Sequence, residues 1–440
     1  MIESAKEQVS EFLKKHNFDE NISVEFLTER ILYDMNLGLF GGTEKAGEDM
    51  FKAWILPPDE KPRNKNVIVI DAGGTNFRSC FVSFDSDGGF SISDFKKTKM
   101  PGVEKELSKK EFFDAIADNI DYLKNKSDRI GFCFSYAMSI TKDGDGIPNA
   151  FSKEVKAPEV LGCPVGKTLL EVLHSRGWNK VKKIVLLNDT EAALLAGKAA
   201  AKNGTEFSSY IGFIFGTGIN GAYIQPKVEA GEKSKEEIQK QIIVCESGKC
   251  DKIPLSDFDT AMDRKCAVPK QYPLEKQCSG AYLGPVALEM LRFAAEENLL
   301  SGECSQKIKE LEKLTLIEAD DFLHSPYKDG TVSALCKNGE EGEADREKIY
   351  LLLDALITRA AKNGAAILSA CARMSGAGKN CLHPVGMLCN GTTFYKTRRL
   401  YERIVSNLEN YLTKKCGIYF EILTLENDIT LGTAIAGLVN

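Results

Sequence analysis

Apolar residues recur at helical spacing in two places near the start of the chain. Residues 3–16 carry Ala5, Val9, Phe12 and Leu13 on one face, and residues 24–36 carry Phe26, Leu27, Ile31, Leu32 and Met35. Two amphipathic helices are predicted. The stretch 56–66, LPPDEKPRNKN, breaks that period and reads as a linker. Beyond it the pattern changes to short β-branched runs. Residues 67–70 (VIVI) read as a buried strand, Gly73 and Gly74 as a turn open to positive φ, and residues 77–84 as the returning strand. A further turn is expected at 85–89. Ser108 with Glu111 forms a capping box that opens a helix over 109–124. A strand at 130–135, a turn at 142–146, a helix at 166–175 and a buried strand at 184–187 follow. The last of these ends in Asn188-Asp189, where an alanine-rich helix starts.

The pattern then restarts. Residues 209–215 are apolar, Gly216-Thr217-Gly218 turns the chain, and 221–224 continue as a strand. Two strand–Gly-Thr–strand units, each followed by mixed strands and helices, predict an α/β protein with a duplicated core and two lobes facing a cleft. Long helices are expected over 279–297 and 345–373, with a charged surface helical insert at 298–343 between them. A strand at 385–388, a helix near 394–414, a strand at 419–423 and a short apolar helix at 431–438, with Gly432 at its start, complete the reading. Gly162-Cys-Pro-Val-Gly166-Lys-Thr168 approaches a Walker A loop, which needs four residues between its glycines. Here there are three, so the segment reads as a turn into a helix.

A chain of 440 residues exceeds one ordinary core, so two domains are predicted. With 43% hydrophobic and 27% charged residues it has the composition of a soluble globular protein, and a net charge of −6 argues against nucleic acid as a partner. No apolar run approaches the ~18 residues of a membrane span, and the first residues lack a signal peptide's apolar core, so no membrane partner and a cytoplasmic location are expected. The 13 cysteines show no CxxC pair and lie mostly within apolar runs, as in a reducing compartment. Cys245 and Cys250 have neither a partner pair nor a nearby histidine, so no bound zinc is expected.

The chemistry begins at Asp71, a carboxylate delivered at a strand end beside a Gly-Gly-Thr turn whose amides favour an anion. The segments IDAGGTNFR, LLNDT, FGTGIN, CESG, LEKQCSGAYLG and NGTTFYKTRRLYER, in this order between about Asn66 and Gly437, resemble those of the hexokinase family. The resemblance implies the two-lobed actin-like ATPase (ribonuclease H-like) fold with a duplicated mixed-sheet core. It places residues 1–65 and 188–428 in a large lobe and 66–187 and 429–440 in a small one. It implies ATP-dependent, Mg2+-assisted phosphorylation of a hexose, glucose foremost, at the 6-hydroxyl, with the lobes closing on the sugar. Asp189 then falls on the catalytic base. Ser135, Ser152, Lys153, Asn188, Asn220, Glu246 and Glu275 fall on sugar-contacting positions. Asp71, Gly73, Gly74, Thr75, Asn76 and Arg78 match the first phosphate motif, with Asp71 ordering Mg2+ through water. Gly216, Thr217 and Gly218 match the second motif, Gly391 and Thr392 the adenosine segment, and Gly432 the C-terminal nucleotide segment. For Arg78 two roles stand open, charge near the γ-phosphate or an ion pair with a lobe carboxylate.

Several positions depart from the family pattern. Ser135-Tyr136-Ala137 replaces Ser-Phe-Pro, Ser152-Lys153-Glu154-Val155 replaces Thr-Lys-Gly-Phe, and Ser247 replaces an aromatic. Asn220-Gly221-Ala222-Tyr223 replaces Asn-Ala-Cys-Tyr, and Asn390 stands where aspartate is usual. The contacting atoms survive in most cases while the pocket shape changes, which bears on sugar preference. None of the four histidines lies in a motif, so a histidine base is not expected. Two other functions fit parts of the pattern: a non-catalytic sugar-binding regulator of the same fold, and an actin- or chaperone-like ATPase. Asp189 with both Gly-Thr turns argues against the first, and the Glu246/Glu275 pair against the second.

Overall fold

In the computed structural model residues 4–151, 155–200, 205–231 and 237–439 are described. Two helices, α1 (Ala5–Lys15) and α2 (Val24–Phe40), precede a two-residue strand, β1 (Phe51–Lys52). The meander β2 (Lys65–Gly73), β3 (Asn76–Phe84) and β4 (Phe90–Lys99) leads to α3 (Lys109–Ile120) and β5 (Arg129–Phe134). A small hairpin, β6 (Met138–Ile140) and β7 (Gly146–Pro148), is followed by α4 (Val165–Ser175), β8 (Lys183–Leu187) and α5 (Asp189–Ala200). A second meander, β9 (Ser209–Phe215), β10 (Ile219–Gln225) and β11 (Gln241–Val244), opens the other half. Helices α6 (Asp257–Lys265), α7 (Pro273–Cys278), α8 (Leu283–Glu296), α9 (Gly302–Glu310), α10 (Leu316–His324) and α11 (Glu340–Ser375) follow. The chain ends with β12 (Val385–Asn390), α12 (Thr392–Lys396), α13 (Leu400–Leu408), β13 (Phe420–Leu423) and α14 (Asp428–Val439). Among the described residues no helix is long and apolar enough to cross a membrane.

The two halves repeat one topology. The first sheet has the order β4-β3-β2-β5-β8 and the second β1-β11-β10-β9-β12-β13. In both, a central strand (β2 or β9) pairs antiparallel with the hairpin partner after it and parallel with the strand on its other side. The expected duplicated mixed-sheet core is therefore present. Alternate side chains of β2 and β5 go to different layers: Ile68, Ile70 and Phe132 pack with α3 and α4, whereas Val67, Val69 and Cys133 pack with α5 and α14. The α5–α14 layer also covers Ala222 and Val244 of the second sheet, so it lies between the two sheets.

The structure corrects several expected boundaries. β4, with its Lys96–Lys99 end, reads as a charged surface segment because it is an edge strand with most side chains in solvent. The insert at 298–343 is helical but not wholly superficial, since Ile308, Phe322 and Leu323 are buried in the larger core. The expected helix near 394–414 is broken at Arg399, which adopts φ 55°. The last helix starts at Asp428, so Gly432 lies inside it rather than at its start. The near-Walker segment does turn into a helix, and the anion at that N-terminus is internal. The Asp145 carboxylate accepts from the amides of Gly166 (2.6 Å) and Lys167 (2.9 Å).

Gly432 marks the closest approach of α14 to α5, because a Cβ there would run into the carbonyl oxygen of Ala192. Alanine ordinarily gains about 1 kcal/mol over glycine in a helix. Gly432→Ala is nevertheless expected to lose about 1–3 kcal/mol through overpacking, read as a lower urea midpoint. A midpoint at or above wild type would show that the two helices are not in contact there.

Candidate active site

Asp71 leaves the end of β2 opposite Arg78 of β3, and the guanidinium donates to its carboxylate at 2.7 Å. The Arg78 guanidinium thus forms an ion pair, with Asp71 itself as the partner. Gly74 takes φ 55° at the turn. A Cβ on Gly73 would lie 2.9 Å from that of Ser135, so this glycine lets the β2–β3 turn lie against the residue after β5. The Ser135 amide donates to Ala72 O at 3.0 Å, and the Tyr136 hydroxyl donates to Gly74 O at 3.2 Å. Ser135 is thus fixed beside the first Gly turn. Thr75 accepts the Met100 amide on its carbonyl and lies next to Asn76, the first residue of β3.

The second turn is held from behind. Gly216 N donates to Gly218 O, Gly280 N donates to Gly216 O, and Ala281 N donates to Thr217 O. The Thr393 hydroxyl donates to Gly216 O at 2.9 Å. Gly391, at φ 129°, lies so close that a Cβ would strike Phe215 O. Residues 391–393 and the Gly216–Gly218 turn therefore form one surface at the ends of the parallel neighbours β9 and β12. Asn390 uses its amide to donate to both carboxylate oxygens of Asp428, at 2.7 Å each. Gly432 lies within α14 at its contact with α5.

Beyond the second turn come the acidic groups. Glu275 accepts from Ile219 N at 3.2 Å, and Glu246 accepts from the Asn220 side-chain amide at 3.1 Å. The Asn220 oxygen in turn accepts from the amides of Gly221 and Ser247, which fixes the amide's orientation. Glu246 sits at φ 57°, a left-handed conformation that turns its carboxylate away from the run of β11. Asn188 accepts on its side-chain oxygen from the amide and hydroxyl of Thr190. Asn188 and Glu246 line a small pocket shared with Tyr136 and Met138. Ser152 and Lys153 lie outside the described residues.

Burial dominates the electrostatics here. Asp189 is pushed up to about 6 by desolvation and further by the charge of Asp71, with the Thr190 amide and Ser135 hydroxyl acting against it. Glu246 and Glu275 are each pushed up to about 7, again by desolvation first; Lys249 opposes the rise in Glu246, while Asp49, Asp189 and Glu275 reinforce it. Asp71 and Asp428 are raised by burial, with Arg78 holding the first down and Asn390 the second. Asp189 is thus felt by Glu246 on one side and feels Asp71 on the other.

Two acidic residues here escaped sequence reasoning. Asp428 has a signal in retrospect: Asn427-Asp428 opens α14 as Asn188-Asp189 opens α5. Glu191 has none. It lines the pocket with Asn188 and Glu246, its Oε1 is buried without a hydrogen-bond partner among the described residues, and burial pushes it up to about 8.

Two family models, both described as hexokinase, match the chain over residues 8–199 and 210–439. The chain is 27% identical to hexokinase-1 of Schizosaccharomyces pombe over 429 residues, covering 93% of this chain and 86% of that protein. It is 28% identical to hexokinase-1 of Saccharomyces cerevisiae over 321 residues, 67% of this chain and 64% of that protein. The fold matches that of a Schistosoma mansoni hexokinase solved in complex with glucose, with a TM-score of 0.75 at 22% identity, covering 99% of this chain and 100% of that one. A second solved hexokinase gives a TM-score of 0.75 at 18% identity, covering 98% of each chain. These likenesses establish the two-lobed actin-like fold.

Glu191 supplies a test of the electrostatics. Below pH 4.5 its carboxyl is protonated in both folded and unfolded chains. Between 4.5 and about 8 the unfolded chain gives up the proton while the folded one keeps it, so this group's contribution to stability falls as pH rises. Glu191→Gln is expected to gain about 2–4 kcal/mol at pH 8 and nothing near pH 4, measured by urea unfolding at both values. An equal change at the two pH values would place the group in water.

Proposed function

The chain belongs to the hexokinase family and is an ATP-dependent hexose kinase, and on that premise we propose that it phosphorylates glucose at the 6-hydroxyl with Asp189 as the base. The observation that carries this reading is the position of Asp189 in the charge field. It is coupled to Asp71, beside the first Gly turn, and to Glu246, beside Asn220. A proton acceptor is needed at that point, between a phosphate cradle and a hydroxyl-binding set. A base raised to about 6 is still mostly ionised at neutral pH and is more basic than an exposed aspartate.

The sugar would be held by Glu246, Glu275, Asn188 and Asn220, whose fixed acceptors and donors match a ring of hydroxyls. Ser135, against both Asp189 and the Gly turn, would lie where the 6-hydroxyl meets the γ-phosphate. The amides of residues 73–75 and 216–218, with the Thr75 and Thr217 hydroxyls, would hold the phosphates, and residues 391–392 the adenosine. The 6-oxygen would attack phosphorus as its proton passes to Asp189, and the bond to ADP would break in line. Mg2+ supplies charge neutralisation to this chemistry. Asp71, with Asp189 and Asp428 adding uncompensated negative charge around it, is the group suited to order that ion through water.

The lobes of the proposal are residues 1–65 with 188–428, and 66–187 with 429–440. Closure on the sugar would exclude water, which is otherwise a competing nucleophile. The glucose complex of the Schistosoma mansoni hexokinase favours glucose as the sugar.

ADP release is measured by a coupled assay with and without glucose. Turnover should require both the sugar and Mg2+, and kcat should fall as pH drops through about 6. ADP release at the same rate without sugar would indicate an ATPase. Asp189→Asn should retain glucose affinity while kcat falls roughly 100-fold or more; near-normal turnover would reduce Asp189 to a helix cap. Glu246→Gln and Glu275→Gln should each lose about 1.5–3 kcal/mol in kcat/KM for glucose, and wild-type values in both would remove them from the sugar site. A substitution at Gly218 is a poor probe of ATP alone, because a Cβ there lies 2.7 Å from Glu275 Oε2 and would disturb both ligands.

A further inference from the structure

Away from the proposed hexose and nucleotide contacts, the loop after α2 buries a second group of acids. Asp34 of α2 is fully buried and accepts from the amides of Gly47 (2.9 Å) and Glu48 (3.0 Å). Glu48 is 1% exposed, and neither of its carboxylate oxygens has a hydrogen-bond partner among the described residues. Cys250 is fully buried. One ligand atom from each of Asp34, Glu48 and Cys250 can be chosen so that all lie within 4.8 Å of one another. A carboxylate with two orphaned oxygens beside a second carboxylate is among the most costly arrangements a core can hold. Each Asp34 oxygen already accepts one backbone amide.

We propose that Asp34, Glu48 and Cys250 form a structural site for a divalent transition-metal ion, zinc in the first place. The donor set selects the class of ion. A thiolate disfavours magnesium and calcium, which take oxygen ligands, whereas two carboxylate oxygens and one sulfur suit the borderline-soft zinc. Bonds of about 2.0–2.3 Å put tetrahedral ligand atoms roughly 3.3–3.8 Å apart, so separations of at most 4.8 Å would contract by about 1.5 Å at most. Two carboxylates and a thiolate carry three negative charges, of which a divalent ion removes two; the Lys252 ammonium lies 3.8 Å from Asp34 Oδ1 and is itself paired with Asp251 at 2.7 Å. Binding would release the thiol proton and any proton on Glu48 to solvent. The sequence offers Cys250 no neighbouring cysteine pair or histidine; the fold supplies carboxylates from more than two hundred positions away.

Such an ion would tie α2 and the loop before β1 to the turn that carries Glu246. That loop is already joined there by Met50 N to Cys245 O and by the Lys249–Asp49 ion pair. Its role would be to hold the turn rather than to react.

The test uses the full chain with the exposed Cys381 replaced by serine, stripped with a chelator under reducing conditions and refilled with Zn2+ alone. About one zinc per chain is expected by emission spectrometry, with a higher Tm in Zn2+ than in chelator. Co2+ in its place should give a thiolate-to-cobalt charge-transfer band. Glu48→Gln and Cys250→Ser should each lose the zinc, the zinc-dependent part of Tm and the band. Zinc below about one tenth per chain, with Tm indifferent to metal, would overturn the proposal. So would full zinc retention in either variant. A Glu48→Gln protein more stable than wild type under all metal conditions would also overturn it, identifying Glu48 as a neutral buried acid.

Discussion

The arrangement of the cleft depends on how closely α5 and α14 approach. Each helix starts with Asn-Asp at the end of its own half of the fold, and each inserts between the sheets. Because Gly432 has no side chain, the two backbones meet at Ala192, and the helix starts converge with them. That convergence sets Asp189 and Asp428 within electrostatic reach of Asp71. Gly131 of β5 extends the same packing, since a Cβ there would strike Thr433 O. Backbone-to-backbone contact leaves little room for drift, which is the condition for holding several carboxylates in one place.

Those carboxylates shape the local chemistry. Asp71, Asp189, Glu246, Glu275 and Asp428 all lie above their ordinary range, chiefly through desolvation. Within this set the countercharges include Arg78 on Asp71, Lys249 near Glu246 and Lys276 near Glu275. The cleft therefore carries a surplus of buried acid that protonation relieves. Arg78 pairs with Asp71 at 2.7 Å and holds its carboxyl down against the effect of burial.

The duplicated core was legible because its signal is local. A β-branched run, a Gly-Thr turn and a returning strand occur twice, and both copies fold with the same pairing pattern. The capping box at Ser108 was equally local and is present. What escaped was set by distant partners. β4 is polar because it is an edge strand, and its sequence shows no alternation to detect. Gly432 packs α14 onto α5, a contact that its own stretch of sequence does not announce. Glu191 and Glu48 look like ordinary surface glutamates until the fold encloses them. Burial of a charged residue has no signature in its own neighbourhood of sequence.

The last helix has a consequence for synthesis. α14 covers the face of the first sheet formed by Val67, Val69, Cys133, Val185 and Leu187, although it comes last of the described elements. At about 5–20 residues per second, roughly 10–50 s pass between the emergence of β8 and that of α14. For that interval the nascent first half has an apolar sheet face with only α5 to cover it. A message truncated before α14 would release a protein in which that exposure is permanent.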